Sequence, residues 1–175
     1  PSATSIGDEG GYAPPLKDPI EPFELLSEAI DEAGYKDNIQ LAIDSAASEF
    51  KTDRGYDFSG ESLNSGEMVD FYDSLIDEFP VISIEDPLDE DDWSGFKTLT
   101  EELEDRVQII GDDLFVSNPD IIRKGIRQGV CNCVLLKVNQ IGSLTEAMEA
   151  ASIAKRNGYG VQVSHRSGET CDPFI

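Results

Sequence analysis

The sequence predicts an α/β protein whose parallel strands form an incomplete (β/α) barrel, and three observations carry that expectation. Short β-type apolar runs near 39 to 44, 81 to 85, 107 to 112, 132 to 138 and 160 to 165 alternate with helical periodicities. Successive βα units require parallel strands with helices outside them. Finally, every strand ends in a polar group on one face. Asp44 follows Gln40 and Ala42, Glu85 follows Val81 and Ser83, Asp112 follows Gln108 and Ile110, Lys137 follows Cys133 and Leu135, and His165 follows Val161 and Val163. A barrel gathers its strand C-termini around one mouth, so these five groups should converge on one pocket. An open doubly wound sheet would spread them along an edge, and the sequence has no GxGxxG or P-loop to mark a nucleotide crevice.

The elements follow in order. "EPFELLSEAIDEAG" is the first helical pattern and "QLAID" the first strand, followed by a polar stretch over residues 51 to 67 that reads as a long loop. "SGEMVDFYDSLIDEF" should start at Ser65 as its cap and lead into "VISIED". A helix around "DDWSGFKTLTEELE" takes the acidic run "DEDDW" as its charged lead-in. That run lacks the glycine and terminal glutamate of an EF-hand calcium loop. "QIIGDD" precedes "NPDIIRKGIRQG", capped by Asn118. "CVLLK" precedes "SLTEAMEAASIAKRNG", capped by Ser143 and stopped at Gly158, and "VQVSH" is the last strand.

Composition narrows the function classes. With 36 acidic against 13 basic residues in 175, the net charge of −23 repels nucleic-acid backbones and anionic membranes. No run approaches the roughly 18 apolar residues of a membrane span, and the start "PSATSIGDEGG" has no secretory pattern. Cys131, Cys133 and Cys171 are odd in number and lack CxxC spacing, which points away from disulfides and structural zinc and toward a reducing cytoplasm. The chain opens on a glycine-rich motif without an initiator Met and closes on "CDPFI", so a longer protein is expected around it.

The chemistry sits at the strand ends. Asp44, Glu85 and Asp112 are hard oxygen donors that would repel one another at a barrel mouth unless a cation lay between them. Mg²⁺ is the expected ion, since it takes a few carboxylates and leaves positions for water and substrate. Each acid alone reads equally well as a cap or a strand-end charge; three in register do not. Lys137 alone reads as a snorkelling lysine, but beside bound cations a lysine is pushed toward the neutral form that a general base needs. "SHRSGET" gathers hydroxyls, an imidazole and a guanidinium suited to an anionic group such as phosphate, and "GDEGG" holds Glu9 in a glycine-rich loop.

The motifs "GDEGGYAP", "AIDSAASEF", "SIEDPLDEDDW", "IIGDDLFVSNP", "LLKVNQIGSLTEA" and "VSHRSGET", taken in order, resemble the enolases. The resemblance implies the C-terminal TIM-type barrel domain of that family, with residues 1 to 175 a partial barrel lacking the N-terminal domain and the barrel ends. It implies reversible dehydration of 2-phospho-D-glycerate, a phosphorylated hydroxy acid, in glycolysis. It assigns the tighter Mg²⁺ to Asp44, Glu85 and Asp112, the C2 base to Lys137, and the acid at the C3 hydroxyl to Glu9. Substrate and phosphate fall to Ser164, His165, Arg166 and Ser167, with Glu85 and Asp112 also facing substrate and His165 also counted among the catalytic groups. The family resemblance also implies a homodimer when complete and little turnover by this chain alone. The sequence departs from the family at Cys171, Asp172 and Pro173, where an acidic residue, Asp and Thr are usual. Two other readings remain at this stage: another dehydratase or racemase of the same superfamily, and a non-catalytic acidic binding homologue.

Overall fold

The computed structural model describes residues 5–7 and 11–164, in two compact units, Pro1–Ile39 and Gln40–Ile175. In the first unit an antiparallel bridge joins Ile6 to Tyr12, and helix α1 (Glu21–Glu32) has a proline in its first turn. Gly34, at φ +79°, ends it in the left-handed conformation that glycine adopts most readily.

The second unit holds a five-stranded parallel sheet, β1 (Leu41–Asp44), β5 (Val81–Glu85), β6 (Gln108–Gly111), β7 (Cys133–Leu136) and β8 (Gly160–Val163). Its spatial order follows the chain order without reversal. A doubly wound sheet reverses at a switch point, whereas a barrel does not, so the expected architecture is present as an unclosed arc. Helices α2 (Ser65–Glu78), α3 (Trp93–Leu103), α4 (Pro119–Gln128), α5 (Val138–Ile141) and α6 (Leu144–Arg156) connect the strands. α2 packs on α3 and α4 on α6. The helices bury Met68, Tyr72, Phe96, Leu99, Ile122 and an alanine face comprising Ala147, Ala150, Ala151 and Ala154.

Three local expectations are corrected. Residues 51 to 67 are not a loop: β2 (Lys51–Thr52), β3 (Gly55–Phe58) and β4 (Glu61–Leu63) form an antiparallel meander. Its strands are too short for alternation to register. It is held by the fully buried Tyr56, whose hydroxyl donates to Asp92 at 3.1 Å and accepts from the Asp89 N–H at 3.0 Å. The cap of α2 is Asn64 rather than Ser65: Asn64 accepts from the Gly66 and Glu67 N–H groups, and Glu67 accepts from the Asn64 N–H at 2.7 Å. The third correction concerns β8. Leu135 pairs with Gln162 and Leu136 with Val163, so Gln162 shares the face of Leu135, and Val161 and Val163 point to the other side. The inward position is taken by Gly160, where a Cβ would lie 2.7 Å from Gln108 Nε2 and 3.1 Å from Cys133 Sγ. Lack of space selects glycine there, and this shifts the strand's parity by one from the sequence expectation.

Close packing also fixes β6 against α4. The Phe115 ring lies where a Cβ on Gly111 would come within 2.6 Å of it and one on Gly125 within 2.5 Å. Gly111→Ala is therefore expected to destabilise the fold by about 1–3 kcal/mol through overpacking, read as a lowered urea midpoint with unchanged slope.

Candidate active site

Parallel pairing places Asp44 beside Glu85 and sets Asp112 just past the end of the next strand, two residues further along. Asp44 is the register partner of Glu85, and Glu85 that of Ile110, two residues before Asp112. Ile110, Cys133 and Leu135 form a buried cluster on the same face, immediately below the strand ends. Above this apolar floor Glu85, Asp112 and Lys137 are each less than a tenth exposed, while Asp44 is exposed at the end of β1.

The lysine inside the apolar run has a partner: Lys137 Nζ donates to Asp112 Oδ2 in a buried ion pair. Asp112 Oδ1 accepts from Gln140 Nε2 at 2.9 Å. Burial pushes the Glu85 carboxyl up to about 8, with Asp44, Asp112 and Asp86 pushing the same way and Lys137 opposing them. Asp44, Asp112 and Lys137 thus all lie close enough to act on Glu85. The site gathers more carboxyl groups than its one lysine can balance, and all its donors are hard oxygens, which is the chemistry a small divalent cation fits.

Sequence reasoning missed Asp86. It is buried, at φ +39° before Pro87, a left-handed conformation that Asp tolerates better than most residues. The turn directs its carboxylate beneath the end of β6, where Oδ1 accepts the Asp112 N–H at 2.9 Å and Oδ2 the Asp113 N–H at 2.8 Å. Burial pushes its carboxyl up to about 7 against the pull of those two hydrogen bonds. Among the described residues, the acids whose oxygens all lie within 4.8 Å of one another are Asp86, Asp112 and Asp113. Both Asp86 oxygens accept backbone N–H groups, so Asp86 brackets the turn that presents Asp112. Asp86→Ala would strand two N–H groups, and a loss of about 2 kcal/mol or more is expected in chemical denaturation of the complete protein. The signal in the sequence is the acid pair "ED" before proline, in which strand alternation singles out only Glu85.

Ser164 is buried at the end of β8, and its N–H donates to the Leu136 carbonyl at 3.1 Å, one residue before Lys137. By parity it continues the face of Gln162 and Leu135. Glu9, His165, Arg166 and Ser167, together with the Cys171 to Pro173 departure, lie outside the described residues. No helix among the described residues is long and apolar enough to cross a membrane.

Comparison with known proteins agrees with this geometry. The family model described as "Enolase, C-terminal TIM barrel domain" matches residues 1–175. The enolase of Methanopyrus kandleri is 59% identical over 100% of this chain and 42% of its own length. Those of Methanocaldococcus jannaschii and Pyrococcus furiosus are 53% and 54% identical, over 99% of this chain and 41% of theirs. The chain thus spans about two fifths of the relatives it matches. With a whole-chain match on a parallel βα arc whose strand ends carry the acids and the lysine, the chain belongs to the enolase C-terminal TIM barrel domain family.

Proposed function

We propose that the complete protein to which these residues belong is an Mg²⁺-dependent enolase. It interconverts 2-phospho-D-glycerate and phosphoenolpyruvate as a step of cytoplasmic glycolysis and gluconeogenesis. In this reading residues 1 to 175 are part of its barrel domain, the rest of the barrel and an N-terminal domain come from elsewhere in the protein, and the assembly is a homodimer. The observation that supports it best is the strand-end arrangement, with Asp44 the register partner of Glu85 and Lys137 paired with Asp112 at the ends of the strands that follow, within a family whose relatives carry the enolase name.

Asp44, Glu85 and Asp112 would hold Mg²⁺, which when bound neutralises the negative charge that accumulates on a carboxylate-stabilised carbanion. The proton at C2 is weakly acidic because its neighbour is already an anion. Lys137 must first give up the proton it holds against Asp112, whose charge a bound cation would take over; the free amine then takes the C2 proton, and its apolar floor of Leu135 and Cys133 keeps bulk water from competing for it. As the C2–C3 double bond forms, the C3–O bond breaks, and Glu9 supplies the proton with which the hydroxyl leaves as water. Ser164, His165, Arg166 and Ser167 hold the phosphate. Several of these groups are donors or cations, a balance that an otherwise acidic chain needs to bind a polyanion.

The test is turnover by the complete purified protein, followed as phosphoenolpyruvate absorbance with Mg²⁺ and after chelation. The reading requires formation of phosphoenolpyruvate that stops on chelation and returns with Mg²⁺. Turnover that chelation leaves unchanged, or inertness toward 2-phosphoglycerate, sinks it. The isolated 175-residue chain is expected to turn over little or none, because the remaining barrel strands are needed to close the site.

A further inference from the structure

The turn after β6 carries two consecutive non-glycine residues in the left-handed region, Val116 at φ +43° and Ser117 at φ +54°. Such positions are strained for residues with a Cβ and persist where the surroundings over-determine them. Ser117 is completely buried. Its hydroxyl accepts the Lys137 N–H at 2.7 Å and lies 3.0 Å from Gln140 Oε1 and 3.2 Å from the Leu135 carbonyl. β7 ends at Leu136, one residue before the expected lysine, and the single-turn α5 that follows brings Gln140 back over Asp112. An ionised carboxylate only accepts, so the Gln140 amide nitrogen must face Asp112, which turns its oxygen toward Ser117.

The contacts close a ring. Lys137 Nζ meets Asp112 Oδ2, Asp112 Oδ1 meets Gln140 Nε2, Gln140 Oε1 meets Ser117 Oγ, and Ser117 Oγ meets the Lys137 backbone. We propose that Gln140 and Ser117 are positioning residues of the site: the Gln140 amide sets the rotation of the Asp112 carboxylate for cation binding, and Ser117 ties that setting to the backbone that carries Lys137. The inference rests on the enolase reading for the identity of the cation. A ring that only secured the β7–α5 corner would serve stability instead, and the two roles separate cleanly. Without Gln140, Ser117 can still donate to Leu135 and Asp112 still pairs with Lys137, so little stability should be lost.

The experiment titrates Mg²⁺ alone into the complete protein by calorimetry, for the parent, Gln140→Leu and Gln140→Glu, alongside kcat, KM and thermal midpoints without metal. Gln140→Leu is expected to weaken Mg²⁺ binding and lower kcat by about 10- to 100-fold, as for other partners behind a metal ligand. KM should change less, and the metal-free midpoint should stay within about 3 °C. Gln140→Glu keeps the shape but loses the donor; its added carboxylate attracts the cation by itself, so kcat, rather than Mg²⁺ affinity, is expected to fall as far as in Gln140→Leu. Parent-like Mg²⁺ affinity in Gln140→Leu, parent-like kcat in either variant, or losses that track a collapsing midpoint, overturns the proposal. Failure of the parent to turn over 2-phosphoglycerate would instead strike the enolase reading, leaving the Mg²⁺ titration to judge the ring independently.

Discussion

Replacing Lys137 by methionine in the complete protein is expected to lower kcat by about 10²- to 10⁴-fold, the usual worth of a positioned general base. Methionine keeps the volume of the lysine stem, so the loss is chemical rather than a cavity effect. The same change removes the partner of Asp112 Oδ2 in a site where both side chains are buried. Breaking one side of a buried pair costs on the order of 3 kcal/mol, so the metal-free variant should unfold earlier, and Mg²⁺ should restore part of the loss by neutralising Asp112. Lys137→Arg separates the two roles. The guanidinium still pairs with Asp112 but stays charged and cannot accept a proton, so stability should largely persist while turnover does not. Activity within tenfold of the parent in Lys137→Arg would remove Lys137 from the chemistry.

The second large effect concerns the acids. Glu85→Gln and Asp112→Asn keep shape and remove charge, and each is expected to reduce kcat/KM by on the order of 10³-fold, since metal-assisted charge stabilisation supplies several kcal/mol. They should differ in stability. Burial, with Asp44, Asp112 and Asp86 beside it, pushes the Glu85 carboxyl up to about 8, so near neutral pH it is already mostly uncharged without metal, and the glutamine should leave the metal-free protein about as stable. Asp112 anchors Lys137 and Gln140, and the asparagine would leave the lysine cation buried without its counter-charge. Thermal scans with and without Mg²⁺ read both differences, and equal responses in the two variants would mean that Glu85 and Asp112 are not in the electrostatic positions assigned here.

The strands and the acids at their ends were legible because both follow from period-two alternation, which is local. Asp44, Glu85, Asp112 and Lys137 needed only that rule plus parallel pairing. What alternation cannot give is which face looks inward when both are acceptable. "GVQV" offered either, and the crowding of Gly160 against Cys133 and Gln108, a tertiary fact, made the choice. Asp86, Ser117 and Gln140 escaped for a related reason. Two of them sit in left-handed turns and the third on a one-turn helix after a strand, so their reach depends on chain reversals that periodicity does not encode. The meander over residues 51 to 63 was hidden by strands of two to four residues, whose stability comes from Tyr56 and the rings of Phe50, Phe58 and Phe71.

The proposed site has one cation held by acids from three different strands next to Lys137. The most direct measurement is anomalous diffraction from crystals of the complete protein soaked with Mn²⁺ as a Mg²⁺ substitute. A peak is expected within about 2.3 Å of carboxylate oxygens of Asp44, Glu85 and Asp112 together. A peak seated instead on Asp86 and Asp113, or none at the strand ends at saturating metal, would contradict it.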